Sequence, residues 1–163
     1  MFLFHGSYAE IQKPDVHFSR KRLDFGQGFY LAKDYLQAGK WAQRYKYRKL
    51  PSVVNVYRLD METVEKQYRV KVFESYDKEW LQFIIQNREG SAENKYDIII
   101  GGIANDKVFN TIELFQNGLI NEEETLGRLK YEKPNWQMCI CNQEILDLYL
   151  EFQKSEEIMN GSE

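Results

Sequence analysis

The apolar positions fall into short clusters separated by polar, proline- or glycine-bearing breaks, and the spacing inside each cluster predicts its element. Phe2-Leu3-Phe4 reads as a short strand ended by Gly6. Residues 8–27 are largely polar, with Pro14 and the basic run Arg20-Lys21-Arg22, and predict a long loop holding one turn of helix. Gly28-Phe29-Tyr30-Leu31-Ala32 is a second short strand. Asp34 with Gln37 three residues on is a helix-start pair. Ala38, Trp41, Ala42 and Tyr45 then recur at helical spacing and predict a helix over 35–47, which Pro51 follows. Residues 53–59 and 68–73 are rich in β-branched and aromatic side chains and half alternating, as strands are.

Asp77 opens a helix over 78–88 with Trp80, Phe83, Ile84 and Asn87 on one side. Residues 96–100 form an apolar strand closed by Gly101-Gly102. The amphipathic stretch 108–117 stops at Gly118, as helices commonly do, and 122–129 is a further short helix. After Pro134, residues 136–141 predict a strand. Asn142 caps a last helix whose inner face carries Ile145, Leu148, Tyr149 and Phe152. Strands and helices mix without regular βαβ alternation. The prediction is an α+β fold, with peripheral helices against a compact, mostly antiparallel pair of sheets. It comprises one domain over 1–154 and a polar C-terminal tail over 155–163.

Composition narrows the class. Of 163 residues, 43% are hydrophobic and 29% charged, which argues against disorder, collagen and helical membrane spans. The start of the chain has no basic segment followed by a long apolar run, so the expected location is cytoplasmic, with no membrane partner. Two histidines (His5, His17) and two cysteines (Cys139, Cys141) are present, and a structural zinc would need all four at unsuitable spacings. No metal is expected. Cys139 and Cys141 alternate onto one strand face, too close in sequence for a comfortable disulfide, and read as core thiols.

Charge sharpens this. The net charge is −3, yet residues 1–60 carry eleven Lys/Arg against five Asp/Glu, a surplus of six, and the remainder is acidic. A basic first part points to an anionic ligand or partner; the bland alternative is a solvated surface.

Phosphate-loop and dinucleotide-fold readings fail on Gly26-Gln27-Gly28, which lacks the third glycine and the Lys-Ser/Thr. The stronger pair is His5-Gly6-Ser7 with Asp24-Phe25-Gly26-Gln27-Gly28-Phe29-Tyr30-Leu31-Ala32. On these motifs the chain resembles the ADP-ribosyltransferases, in the His-Tyr-Glu branch of the poly(ADP-ribose) polymerases and diphtheria toxin. Lys40-Trp41-Ala42, Glu79-Trp80-Leu81, Asn87-Arg88 and Tyr96-Asp97 through Asp106 extend the likeness to a bacterial domain family grouped with these enzymes.

The resemblance implies an ADP-ribosyltransferase-like split-sheet fold and NAD as substrate. It implies that His5 bonds a ribose hydroxyl, that the Gly6 backbone, beside Ser7, pairs with the nicotinamide amide, and that Gly28 belongs to the cradle. Tyr30 and Trp41 would stack on the ring, with Ala38 where the polymerases have a serine. Arg20, in the loop between the motifs, would reach the pyrophosphate. The family glutamate falls at Gln137, which can orient the ribose but adds no charge. Glu132, Asp106 and Glu144 are the carboxylates that could substitute; Asp106 also reads as a cap for the following helix.

The implied activity is mono-ADP-ribosyl transfer to a protein or nucleic-acid acceptor, as a toxin-like effector held by an antitoxin or other inhibitory partner. Two alternatives stay open. One is a catalytically degenerate module that binds NAD or ADP-ribose. The other is a nucleic-acid-binding domain, motivated by Arg44-Tyr45-Lys46-Tyr47-Arg48-Lys49, where cations interleave with aromatics.

Overall fold

The computed structural model describes residues 1–159. Among these described residues seven strands form two sheets. The first contains β1 (Phe2–Ser7), β3 (Val53–Leu59) and β7 (Leu150–Glu157), all antiparallel, in the order β1-β3-β7. The second contains β2 (Phe29–Leu31), β6 (Gln137–Ile140), β5 (Ile98–Gly101) and β4 (Val70–Val72), in the order β2-β6-β5-β4, with only the β4–β5 pair parallel. Helices α1 (Tyr35–Ala42), α2 (Met61–Gln67), α3 (Lys78–Glu89), α4 (Asp106–Gln116), α5 (Glu122–Leu129) and α6 (Gln143–Tyr149) complete an α+β fold with six helices among the described residues.

Three apolar layers hold it together. Between the sheets lie Leu3, Phe29, Leu31, Tyr57, Leu59, Ile98, Met138 and Ile140. The far face of the second sheet packs Ile99 and Cys139 against Phe25, Trp80 and Ile84. Ile98 and Ile99 thus point into different layers, which is why β5 is apolar without alternation: both its faces are covered. On the outer face of the first sheet, α1 seats Ala38 against Ala32 and Val54.

Several elements differ from the sequence pattern. β1 does not stop at Gly6 but pairs with β3 through Ser7. The helix expected over 35–47 is α-helical to Ala42 and continues as a 3-10 segment, Gln43–Arg48, closed by Lys49 at φ 58°. Helix α2 was not signalled, because only Val64 of its seven residues is buried and a single position gives no period. The last helix ends at Tyr149, and Leu148 is solvent-exposed rather than inward. Residues 150–157, expected to finish a helix and begin a tail, form β7, with Phe152 set edge-on to Tyr57. A register shift at Val56/Tyr57 breaks the alternation that would have marked β7. The end of the expected tail, 160–163, lies outside the described residues. Asn105, not Asp106, caps α4, its Oδ1 accepting the Val108 N–H at 2.9 Å.

Candidate functional site at the split between the sheets

Among the described residues the sheets meet at one antiparallel bridge, where Phe4 and Ala32 exchange two backbone hydrogen bonds of 2.8 Å. One step further the ladder would pair Gly6 with Tyr30, and it does not. In an antiparallel ladder alternate residues face opposite neighbours. Leu59 N–H donates to Met1 O, so the odd residues of β1 face β3; Phe4, and with it Gly6, faces the β2 side. The Tyr30 carbonyl that Gly6 would bond is taken instead by the His5 imidazole, at 2.6 Å. The side chain of His5 thereby wedges the two strands apart. The N–H and C=O of Gly6 are left without a backbone partner among the described residues.

That bond also fixes the histidine. A carbonyl can only accept, so Nδ1 carries the proton and Nε2 is the acceptor. The ring stacks on Phe29, with centroids 4.4 Å apart. Burial pushes the His5 pKa down, against the smaller upward pull of the Tyr30 carbonyl, and so favours the neutral ring. Ser7, on the same face of β1 two residues on, is buried, and its hydroxyl makes no hydrogen bond among the described residues.

The glycine motif 24–28 forms a locked turn beside this split. Tyr30 donates its hydroxyl to the Gly26 carbonyl at 2.5 Å and accepts from Phe25 N–H at 3.2 Å. Burial, with Cys139 close by, raises the Tyr30 pKa well above its ordinary value, so it stays a phenol. Gly26 sits at φ +79°, where a side chain is strained. Gly28 makes room for Cys139: a Cβ there would lie 2.5 Å from its Sγ. The basic loop is tied to the turn, because Ser19 Oγ accepts the Gly28 N–H at 2.9 Å and Gln27 donates to Ser19 O at 3.1 Å. Arg20 is exposed, and its side chain has no partner among the described residues.

The remaining candidates are distributed around the split. The hydrogen of Gly6 points at α1, where a Cβ would stand 2.2 Å from the Ala38 carbonyl oxygen. This glycine is therefore demanded by helix packing, in addition to anything a ligand asks of it. Tyr30 and Trp41 do not face each other as a bare pair. The ring of Tyr30 stacks with Phe25, centroids 6.5 Å apart, and Trp41 is 44% exposed with the Arg44 guanidinium 4.1 Å over its ring.

Gln137 opens β6 opposite Gly101, on the same sheet face as Cys139, which pairs with Tyr30. Its amide makes no hydrogen bond among the described residues. Of the substitute carboxylates, Asp106 and Glu132 lie at the Gln137 end of β6, whereas Glu144 follows its other end and accepts from Tyr68 at 2.8 Å. Glu132 pairs with Lys107 at 3.1 Å, and Asp106 is exposed in the first turn of α4. Among the described residues no group of three or more His, Cys, Asp or Glu could hold a metal ion, and no helix is long and apolar enough to cross a membrane.

A family model described as "Protein of unknown function (DUF3990)" matches residues 1–152. The chain belongs to the DUF3990 family. No curated protein and no solved structure matches it. The DUF3990 match runs from β1 into β7 and so contains the whole split, both glycine motifs and Gln137.

Other residues hold this part of the DUF3990 fold through bonds that the sequence does not signal, although Gln37 belongs to the start pair of α1 and Arg88 to the resemblance. Asn55, fully buried on β3, accepts Ile11 N–H at 2.9 Å and donates to Ala9 O at 3.0 Å; Tyr57 donates to Ile11 O at 2.6 Å. These bonds lay the loop after His5-Gly6-Ser7 over the sheet. Arg88 of α3 pairs with Asp24 at 2.8 Å, with both side chains mostly buried, and so fixes the start of the glycine turn. Gln37 donates to Trp136 O at 3.1 Å, joining α1 to the residue before Gln137. An isolated Asn or Gln carries no sequence pattern; its partners are distant in the chain, and only the fold brings them together.

Proposed function

We propose that this chain is an NAD-dependent mono-ADP-ribosyltransferase whose site is the split at His5 and Gly6. The observation that carries the reading is the wedge itself. It leaves a neutral imidazole with Nε2 free to accept a ribose hydroxyl, beside a glycine whose N–H and C=O can pair with a carboxamide. Those are the complementary donors and acceptors of a nicotinamide riboside, and the neighbouring Ser7 hydroxyl adds one more of either kind. In the reaction the bond between ribose C1′ and nicotinamide breaks, the electron pair leaves with nicotinamide, and an acceptor lone pair closes on C1′. Gln137 would orient a ribose hydroxyl without stabilising the positive charge that develops on the sugar.

Incubation with NAD labelled in the adenylate half, with nicotinamide release measured alongside, tests this. Label on macromolecules of a cell lysate, lost in His5→Ala, is expected. Absence of both nicotinamide release and label would remove the catalytic claim. The neutral amide at Gln137 favours one second reading, a module that binds NAD or ADP-ribose without turnover. Gln137→Glu separates the two. A carboxylate there should raise nicotinamide release by about 10²–10³, the usual worth of one well-placed electrostatic group. Unchanged calorimetric binding with no release in either form would favour the module.

A further inference from the structure

The end of α1 and the 3-10 segment Gln43–Arg48 carry a surface of which the NAD resemblance uses Trp41 alone. Residues 35–50 hold five Lys/Arg and no Asp/Glu. Lys40, Arg44, Arg48 and Lys49 are exposed and form no ion pair among the described residues. Aromatic rings interleave with them. Trp41 is half exposed beneath Arg44, Tyr47 is 93% exposed, and Tyr8, also half exposed, stands edge-on to Tyr45 with centroids 5.2 Å apart. Leaving Tyr47 in water costs hydrophobic burial, and residues 35–50 themselves hold no acid to offset the clustered positive charge.

This surface adjoins the split. Tyr8 directly follows Ser7, and Gly6 rests on the backbone of Ala38 and Ala42, which flank Trp41 on α1. Alternating cations and ring faces suit a polyanion whose own flat rings are exposed. A duplex, with its bases stacked inside, would use only the cations. We infer that the acceptor is single-stranded nucleic acid, docked on Trp41, Arg44, Tyr47, Arg48 and Lys49. The transfer step rests on the NAD reading above; the docking surface does not. In that step a base nitrogen supplies the electron pair that forms the new bond to C1′ and loses its proton to solvent, while nicotinamide leaves with the pair from the broken bond.

The experiment uses the full chain with fluorescein-labelled single strands of DNA and RNA, and a duplex of the same length, read by anisotropy between about 50 and 200 mM salt. Single strands should bind more tightly than duplex. Their affinity should fall with salt at a log–log slope near −2, the three docking cations Arg44, Arg48 and Lys49 at about −0.7 each. Tyr47→Ala should weaken single-strand binding roughly tenfold, the loss of one stacking face. Arg48→Gln should make the slope shallower by about 0.7. Both side chains are at the surface, so the thermal midpoint and nicotinamide release should not change. Label from NAD should then appear on the strand and drop in Tyr47→Ala. No single-strand binding at low salt, or equal binding of the duplex, overturns the inference. Label on lysate protein but never on the strand also overturns it and leaves the NAD reading standing. Strand binding without any nicotinamide release overturns the NAD reading and leaves the docking surface.

Discussion

His5 does two jobs with its two nitrogens. Nδ1 fills the place of a ladder donor to Tyr30 O, and Nε2 remains for a ligand. Burial sets its pKa below the ordinary value of 6.5, so the unfolded chain takes up the proton first. Its stabilising contribution is complete above that value and declines as pH falls from there towards the folded value. Between pH 7.5 and about 5.5 the native chain should therefore lose urea resistance that His5→Asn does not lose, since an asparagine amide can donate to Tyr30 O without titrating. Parallel loss in both proteins would show that His5 is not the group responsible.

Gly6→Ala should cost at least ~1–3 kcal/mol through overpacking, because the contact is with helix backbone, which cannot turn aside. A melt within a degree of the native protein would contradict that packing. The motif His5-Gly6-Ser7 was legible in the sequence. That its glycine serves α1 was not, since Ala38 and Ala42 are more than thirty positions away along the chain.

At the scale of elements, the glycine turn depends on its neighbours. Asp24 is met by Arg88 from α3, and its other oxygen reaches Ala104 N–H at 3.4 Å. Arg88→Ala would leave a mostly buried carboxylate unpaired and should cost roughly 2–3 kcal/mol. That is somewhat below the ~3–5 of a pair sealed from water, since both side chains keep some exposure. Urea unfolding of the single and the double Asp24→Ala, Arg88→Ala variants would check it; additive effects would mean no coupling. Helix α1 was legible to Ala42 because Asp34 caps it, accepting from Leu36 N–H at 2.7 Å, and because Ala38 and Ala42 are buried at helical spacing. Beyond Ala42 the residues at that spacing no longer meet a core: none of Gln43–Arg48 is buried, and the chain tightens to 3-10 geometry.

For the whole molecule, β7 decides whether the first sheet stands. Without it that sheet is β1 and β3 alone, and a two-stranded sheet is marginal in water. Deleting residues 150–163 should abolish cooperative urea unfolding, whereas a truncation after Glu157 should preserve it. A cooperative transition in the shorter chain would show that α1 and the second sheet suffice. The same strand was the least legible. Its sequence alternates poorly, and an extra residue on β7 itself, Gln153 between the partners of Val56 and Tyr57, moves Phe152 out of the pattern.

By itself, the sequence determined the local elements wherever an apolar face recurred at one period or a cap fixed the start: β3, α3, α5 and most of α1. It also set the order of the His-Gly-Ser and glycine motifs and the basic bias of the first part. Only the tertiary structure decided that those two motifs meet at a split between sheets, that a histidine side chain makes the split, and that α1 closes on Gly6. Only there do Arg88 and Asn55 acquire their partners. Periodicity and capping act over a few residues and are written in neighbouring letters. A wedge between strands, a buried ion pair or a glycine beneath a helix joins positions far apart in the chain, and no local pattern records which of them will touch.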